Sequence, residues 1–363
     1  MGIRKRARAL VLTILSLTRN PNTTQLESCM NCMDPCLKVF EKLILVIGPV
    51  CVLLVMLGVS FVVYTMYCYI VPILQKRHPI IFFSEVLYGH WLLVNVVFHY
   101  YKGVMTKPGS PLPAQRIDES LLEDGWSICK KCDQPRPARA HHCRLCGVCV
   151  LKMDHHCPWL NNCVGHYNHR HFMLFIIYIW QAVLFVMCTS GNYALSVMVG
   201  SRSLAHWLLS ETPFRFILAL FATNPELHTR TIGEVTMVML LFFICFGVWI
   251  GLTILGGWHL YLISNAETSI EWNDNRIMSM EFSRRGKVFV NPYNYGLKNN
   301  WKLFLGLVHN RNIFRHVLLP SGHPPAGSGS NWKLGYLVKA PEPVQPRQGY
   351  QTTTDNNGKV FPV

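Results

Sequence analysis

The chain has 363 residues, of which half are hydrophobic and only 15% are charged, with a formal net charge of +15 and 14 cysteines. A soluble globular domain carries about a quarter charged residues, so this composition argues against an ordinary soluble protein. The positive charge does not indicate a nucleic-acid-binding protein, because no RNA- or DNA-binding motif is interleaved with the basic residues.

Residues 1–42 form the first segment of the chain. They begin with Arg4, Lys5, Arg6 and Arg8, which precede a short apolar run over residues 9–17. A signal peptide also starts with basic residues and an apolar run, but no clear cleavage site follows here. We therefore expect residues 1–20 to form a helix that lies on the membrane surface.

Three stretches of the sequence contain no Asp, Glu, Lys or Arg, and each exceeds the roughly 20 residues that cross a bilayer. They are residues 43–75, 172–201 and 235–266. The stretch 79–101 is also apolar, although it contains Glu85, His90 and His99, which we expect to face neighbouring helices. The sequence thus predicts an all-α membrane protein with helices 1 and 2 in 43–101, helix 3 in 172–198 and helix 4 in 235–263.

The basic residues predict the orientation of these four helices. Of the 34 Lys and Arg residues, 29 lie in 1–42, 102–171 and 264–363, which share one side of the membrane if there are four spans. Basic loops stay in the cytosol, so this side, with both termini, is predicted to be cytosolic and the loop 199–234 lumenal. A basic cytosolic surface also suits the anionic lipids of a bilayer.

The cytosolic segment 102–171 contains seven cysteines within 35 residues: Cys129, Cys132, Cys143, Cys146, Cys149, Cys157 and Cys163. In a reducing compartment such a group indicates metal binding or thiol chemistry rather than disulfides. Cys-x2-Cys steps bring two thiolates to one Zn²⁺. Two Cys3His sites would use six cysteines and two of the four nearby histidines, which leaves one thiol over, and spacing does not identify it.

The sequence Asp154-His155-His156-Cys157 is the suggestive place for that extra thiol, because an activated nucleophile needs a thiol, an imidazole and a carboxylate. Residue 172, at the start of helix 3, follows Cys157 by only 15 residues, so a reactive thiol here could meet a fatty acyl-CoA at the membrane face. The alternative is that all seven cysteines are structural and the protein is a catalytically silent, zinc-stabilised membrane scaffold. A transporter is disfavoured, since charge-free spans offer no ion path.

Beyond helix 4, the composition changes twice. Residues 264–319 keep clustered aromatic side chains and are predicted to form a small cytosolic folded element. Residues 320–363 are rich in Pro, Gly, Ser and Gln, which predicts a disordered tail.

Residues 129–172 resemble the DHHC cysteine-rich domain of the protein S-acyltransferase family at every Cys and His spacing, and the stretches 152–159 and 161–165 are similar throughout. The resemblance implies a protein S-palmitoyltransferase that moves a fatty acyl group from palmitoyl-CoA, through acyl-Cys157, to cysteines of membrane-associated proteins on the cytosolic side. It makes His155 the base and Asp154 the residue that holds His155. It also implies two structural Zn²⁺ ions, one at Cys129, Cys132, His142 and Cys149, the other at Cys143, Cys146, His156 and Cys163.

The resemblance implies further contacts outside the motif. Arg136, Arg139 and His141 occupy positions that face the CoA phosphates, and Thr268, Ser269, Glu271 and Asn291 occupy accessory positions. Two positions differ from the family: Lys107 stands where an acid precedes Pro-Gly, and Ser269 stands where a second Thr is usual. Residues 267–271 and 291–296 are closest to a mammalian member associated with endoplasmic reticulum and Golgi membranes, which suggests the same location here.

Overall fold

The computed structural model describes residues 23–111, 125–199, 231–332, 352–354 and 360–362. The helix predicted for residues 1–20 and most of the loop predicted for 199–234 lie outside these residues.

Long helices make up most of the described chain. They are α1 (Thr23–Thr65), which continues through a π-helical turn (Met66–Ile70) into the short α2 (Val71–Leu74), then α3 (Pro79–Met105), α4 (His169–Val199) and α5 (Ile232–Ser264). Within them, Leu43–Leu74, Pro79–Met105, His169–Gly191 and Ile232–Ser264 are long and apolar enough to cross a membrane. The prediction of four spans in a mostly helical membrane protein is confirmed.

Local chemistry explains several helix boundaries. Pro72 has no amide hydrogen to donate, and the regular α-helical pattern is interrupted by the π-helical turn just before it. Pro79 occupies the first turn of α3, where its missing N–H costs nothing. The side chain of Thr231 accepts a hydrogen bond from the backbone N–H of Glu234 and so caps α5.

Helix α4 lies at the centre of the bundle, between α3 and α5. Leu174 and Tyr178 pack with Leu92 of α3, and Val183 packs with Leu241 of α5. The other spans present large apolar side chains outward, as expected of surfaces that face lipid. The central helix therefore connects the membrane bundle to the cysteine-rich segment that precedes it.

The cysteine-rich segment folds as three antiparallel two-stranded hairpins. Their strands are β1 (Ser127–Cys129) with β2 (Gln134–Arg136), β3 (His141–Cys143) with β4 (Val148–Val150), and β5 (His155–Cys157) with β6 (Asn162–Val164). A 3-10 turn (Pro158–Leu160) follows β5 directly. Although the described chain is mostly helical, this segment is built from short strands, and we call residues 127–164 the hairpin domain.

After α5, the chain forms α6 (Ser269–Arg284), α7 (Leu297–Phe304) and a π-helical turn (Phe314–Leu318), and two further strands pair over Thr352–Thr354 and Val360–Pro362. Residues 320–332 lie at the start of the tail that is predicted to be disordered, and two of their carbonyls contact the turn before α4. The carbonyl of Gly327 lies 3.0 Å from Nε2 of His166, and that of Ser328 accepts from Tyr167. A Pro- and Gly-rich segment is extended here, and its carbonyls are free to pair with side chains.

Candidate active site

Two groups of four side chains converge in the hairpin domain. One contains Cys129, Cys132, His142 and Cys149, the other Cys143, Cys146, His156 and Cys163, and within each group the ligand atoms all lie within 4.8 Å of one another. The structure thus assembles the two sets of four that the resemblance implies.

The distances in these groups fit Zn²⁺. A tetrahedral ion with Zn–S bonds of about 2.3 Å places its sulfur ligands about 3.7 Å apart. The sulfurs of Cys132 and Cys149 are 3.7 Å apart and those of Cys146 and Cys163 3.4 Å. Nδ1 of His156 lies 3.4 Å and 3.5 Å from the latter two sulfurs. All these cysteines are free rather than disulfide-bonded, so both groups can hold a metal ion.

Strand register explains why these residues meet. His142 pairs with Cys149 across the second hairpin, and His156 pairs with Cys163 across the third. Residues directly opposite in an antiparallel pair project to the same face. The second hairpin therefore presents His142 and Cys149 to the first four-ligand group, and the third hairpin presents His156 and Cys163 to the second.

The same strand geometry separates His156 from its neighbours. Side chains alternate between the two faces of a strand, so in β5 His155 and Cys157 project away from His156. The Cys157 side chain lies near enough to the His155 imidazole to contribute to the raised pKa of His155. The adjacent histidines therefore serve different groups: His156 faces the thiol cluster, and His155 faces the remaining thiol.

Asp154 holds His155 from the other side. Nδ1 of His155 donates to Oδ2 of Asp154 at 2.6 Å, and the carboxylate is fully buried. The backbone N–H of Ser269 donates to Oδ1 at 2.8 Å and its hydroxyl to Oδ2 at 3.0 Å. A thiol, an imidazole and an anchored carboxylate thus follow one another in the order of a catalytic triad.

The electrostatics of this group favour charged forms. Burial raises the pKa of Asp154, but the hydrogen bond from His155 and the surrounding imidazoles outweigh it and hold that pKa well below its usual range. Burial also disfavours the imidazolium of His155, yet the hydrogen bond to Asp154 and the proximity of Cys157 raise the pKa of His155 to about 10. The carboxylate therefore stabilises a protonated His155 beside the thiol.

Cys157 lies at the junction of the hairpin domain and the membrane helices. Its side chain is 5% exposed and packs with Leu160 and Phe172, together with Tyr100 of α3 and Leu252 of α5. The thiol thus lies in a largely apolar cluster to which three spans contribute.

Arg139 is held by an ion pair rather than exposed to solvent. Its Nε and Nη2 atoms donate to the two carboxylate oxygens of Glu271 at 2.6 and 2.7 Å, and the rings of Tyr293 and Trp332 lie 4.4 and 4.6 Å from the guanidinium carbon. Burial opposes the charges, but the pair lowers the pKa of Glu271 and raises that of Arg139.

Thr268 links the ion pair to the start of α6. Its hydroxyl accepts from the backbone N–H of Glu271, and the Glu271 carboxylate accepts from the backbone N–H of Thr268, which forms a capping box. Ser269 follows at once and contacts Asp154. Thr268, Ser269 and Glu271 therefore form one hydrogen-bonded unit that contacts Asp154.

The other predicted residues lie further out. Arg136 donates from Nε to the hydroxyl of Ser127 at 3.0 Å and stays half-buried. His141 is half-buried, and burial lowers its pKa to about 4. Asn291 donates to the carbonyl of Asn265 at 2.8 Å, which ties the C-terminal element to the end of α5.

Lys107 occupies the position at which the family has an acidic residue before Pro108 and Gly109. The Lys107 side chain is exposed. The adjacent turn depends on backbone groups: the Pro108 carbonyl accepts from Tyr167, and the Gly109 carbonyl accepts from Leu151. Gly109 has φ of 96°, which glycine adopts readily. The turn therefore forms without the acid.

Sequence reasoning missed several residues that surround this site. His169 and His259 are buried beside Asp154, and Asn300 is buried where it donates to the carbonyl of Ser264 at 2.8 Å. A histidine inside an apolar span, such as His259, was the available signal, because polar residues there are costly without a role.

The chain was compared with known proteins. A family model described as DHHC palmitoyltransferase matches residues 122–276. Palmitoyltransferase ZDHHC16A of Danio rerio is 36% identical over 318 residues, which cover 82% of this chain and 81% of the relative. Palmitoyltransferase ZDHHC16 of Homo sapiens is 37% identical over 314 residues, 83% of this chain and 79% of the relative. Probable protein S-acyltransferase 16 of Arabidopsis thaliana is 32% identical over 257 residues.

Proposed function

Since the chain belongs to the DHHC palmitoyltransferase family and is a protein S-palmitoyltransferase, we propose that Cys157 is the thiol that carries the acyl group. The observation that supports this choice is the alternation along β5, which directs His156 to a four-ligand group and leaves Cys157 on the same side of the strand as His155. The other six cysteines of the domain lie in the two groups.

In the proposed first half-reaction, His155 takes the proton of the Cys157 thiol. The thiolate sulfur attacks the thioester carbonyl of palmitoyl-CoA, a new S–C bond forms, and the bond to the CoA sulfur breaks. His155 returns the proton to the departing CoA thiolate. Asp154 keeps His155 oriented and stabilises its protonated form.

The second half-reaction repeats these steps with a cysteine of the substrate protein. His155 takes the proton of the acceptor thiol, whose sulfur attacks the acyl carbonyl. The bond to Cys157 breaks, and the proton passes from His155 to the Cys157 sulfur. The apolar wall around Cys157 suits a fatty acyl chain, since α3, α4 and α5 all contribute to it.

We propose Zn²⁺ for the two four-ligand groups, because a Cys3His donor set at these distances is typical of structural zinc sites. Bound there, zinc would cross-link the three hairpins. The register of β5 against β6 then positions Cys157, and a misplacement of about 1 Å in a reacting atom can cost around a hundredfold in rate.

For the CoA phosphates we propose Arg136, with the half-buried His141 as a neutral hydrogen-bonding group. The phosphate contact predicted for Arg139 stays a prediction, and its ion pair with Glu271 supports a structural role instead. We also propose that the hairpin domain faces the cytosol in endoplasmic reticulum or Golgi membranes, on the distribution of basic residues and the similarity to the relatives.

The test is to incubate the purified full-length protein with radiolabelled palmitoyl-CoA and to measure hydroxylamine-sensitive label. Wild type and Cys68→Ser, which changes an exposed cysteine outside the domain, should both be labelled. Cys157→Ser should carry no thioester label and still contain two zinc ions per chain. Label that persists on Cys157→Ser would refute the assignment, and loss of one zinc would make Cys157 a ligand.

A further inference from the structure

A third group of potential metal ligands lies beside the catalytic carboxylate. A carboxylate oxygen of Asp154 and ring nitrogens of His169 and His259 all lie within 4.8 Å of one another. Asp154 precedes β5, His169 begins α4 and His259 lies near the end of α5. All three side chains are buried, with exposed fractions of 0, 3 and 3%. The group therefore joins the hairpin domain to the cytosolic ends of two spans.

The histidines of this group lack hydrogen-bond partners among the described residues. Both ring nitrogens of His169 and Nδ1 of His259 are buried without a partner. Almost all buried polar atoms in native structures are paired, because burial without a partner is costly. Phe172 and Phe304 cover the rings with centroid distances of 4.9 and 5.0 Å and offer no polar atom. These nitrogens therefore require a partner from outside the described residues, such as a bound ion.

One member of the group borders a cavity. His169 lines a cavity of about 830 Å³ between the hairpin domain and the C-terminal element, and Tyr293 and Trp332 lie on its other walls. A small hydrated ion can enter a cavity of this size. The site is therefore buried, and His169 is the residue through which it adjoins this cavity.

From these observations we propose that Asp154, His169 and His259 form a third, reversible Zn²⁺ site, separate from the two four-ligand groups. One carboxylate oxygen and two imidazole nitrogens are the donors of zinc sites that keep an open coordination position. An occupied site would hold these atoms about 3.3 Å apart. Ser269 and His155 hold Asp154 in place, so any adjustment on binding falls to the rings of His169 and His259.

Occupation of this site would inhibit acyl transfer. Zn²⁺ bound to Asp154 would withdraw negative charge from the hydrogen bond that orients His155. The charge of the ion would also disfavour the protonated form of the neighbouring imidazole. This consequence rests on the proposed roles of Asp154 and His155, whereas the binding of zinc does not. The site would make the enzyme sensitive to free zinc in its compartment.

The binding test uses metal content and needs no acyl transfer. Full-length protein purified with two zinc ions per chain is equilibrated with buffered free Zn²⁺, and bound metal is measured after removal of the excess. Wild type should bind a third equivalent, and His169→Leu and His259→Leu should stop at two. His171→Leu is the matched control, because His171 is buried two residues along α4 but faces His99. It should bind three.

Cobalt distinguishes the proposed ligands from cysteines. A third equivalent of Co²⁺ should give only weak visible bands, without the intense near-ultraviolet thiolate-to-metal transition that a cysteine ligand produces. Cys157→Ser should keep the third equivalent. The proposal is overturned if no third equivalent binds, if the His169 and His259 variants bind it as wild type does, or if Cys157→Ser loses it.

The inhibition test compares the activity of each protein, holding two zinc ions, with and without added free Zn²⁺. The free Zn²⁺ concentration that halves the labelling of Cys157 should rise at least tenfold in His169→Leu and His259→Leu and stay unchanged in His171→Leu. If the third equivalent binds but labelling is insensitive to it, the inhibitory role fails while the site stands. If Cys157 is not labelled at all, the proposed function fails instead.

Discussion

Ser269 donates both its backbone N–H and its hydroxyl to the carboxylate of Asp154, at 2.8 and 3.0 Å, although 115 residues separate the two. Ser269 is the first residue of α6, and Asp154 immediately precedes β5. The backbone donor is independent of the side chain, so replacement of the family's threonine by serine keeps both contacts. The start of a C-terminal helix thereby sets the position of the residue that orients His155.

Removal of the Ser269 hydroxyl should slow the acylation of Cys157 more than it weakens the binding of palmitoyl-CoA. Ser269→Ala removes one hydrogen bond to an ionised carboxylate, a contact worth about 1.5–3 kcal/mol, and keeps the backbone N–H. We expect kcat for Cys157 labelling to fall roughly tenfold or more, with KM for palmitoyl-CoA unchanged. Ser269→Thr should label as wild type, and a rise in KM alone in Ser269→Ala would contradict a positioning role.

The adjacent histidines should give opposite phenotypes. His155→Ala removes the proposed base, so labelling should fall by about 10²–10⁴-fold while two zinc ions remain. His156→Ala removes a ligand of the second four-ligand group, so we expect loss of one zinc and an unfolded third hairpin. Metal analysis and labelling on the same preparations check both, and equal zinc contents in the two variants would refute the division of roles.

Substitution of Arg139 should lower the stability of the fold, whereas substitution of Arg136 should weaken the binding of palmitoyl-CoA. The side chains of Arg139 and Glu271 are only 4 and 12% exposed, so Arg139→Ala leaves a buried carboxylate unpaired and should cost about 3 kcal/mol of unfolding free energy. Arg136→Ala breaks only a contact with Ser127 and should leave stability within about 1 kcal/mol while raising KM for palmitoyl-CoA. Thermal unfolding and kinetics distinguish the two, and a destabilised Arg136→Ala would count against its role with CoA.

The ion pair of Glu271 should also set a pH dependence. Its pKa is lowered in the folded protein, so the unfolded chain takes up the proton first and the pair stabilises the fold above the unfolded value of about 4.3. The difference in melting temperature between wild type and Glu271→Gln should therefore stay constant from pH 8 to pH 5 and shrink only below about pH 4. A difference that already falls between pH 7 and pH 5 would mean that burial dominates and raises this pKa.

The membrane architecture was predictable because it depends on local composition. A charge-free stretch of more than 20 residues has few alternatives to a spanning helix, since every backbone group must be paired inside lipid. The four spans were located in this way, although α4 begins at His169 rather than near residue 172. The exact start depends on the turn at residues 165–168, where Asn168 accepts from the Gly165 amide.

The ligand inventory was predictable from residue counts, whereas its division between two sites came from the resemblance to a known family and not from the spacing. Counting Cys and His residues shows one thiol more than two Cys3His sites need, because a tetrahedral ion takes four ligands. Which thiol remains depends on strand register, and three-residue strands carry too little pattern to predict it. Pairing of His156 with Cys163 decides that His155 and Cys157 share the other face.

The contacts that complete the site were decided by tertiary structure alone. Ser269 meets Asp154, and Glu271 meets Arg139, only because the end of α5 returns the chain to the hairpin domain. His169 and His259 become neighbours because α4 and α5 pack side by side. By itself the sequence determined the spans and the set of Cys and His residues available as metal ligands, which depend on residue type and short spacing. Only the folded chain decided which distant side chains orient the DHHC motif, because such contacts are set by packing between elements.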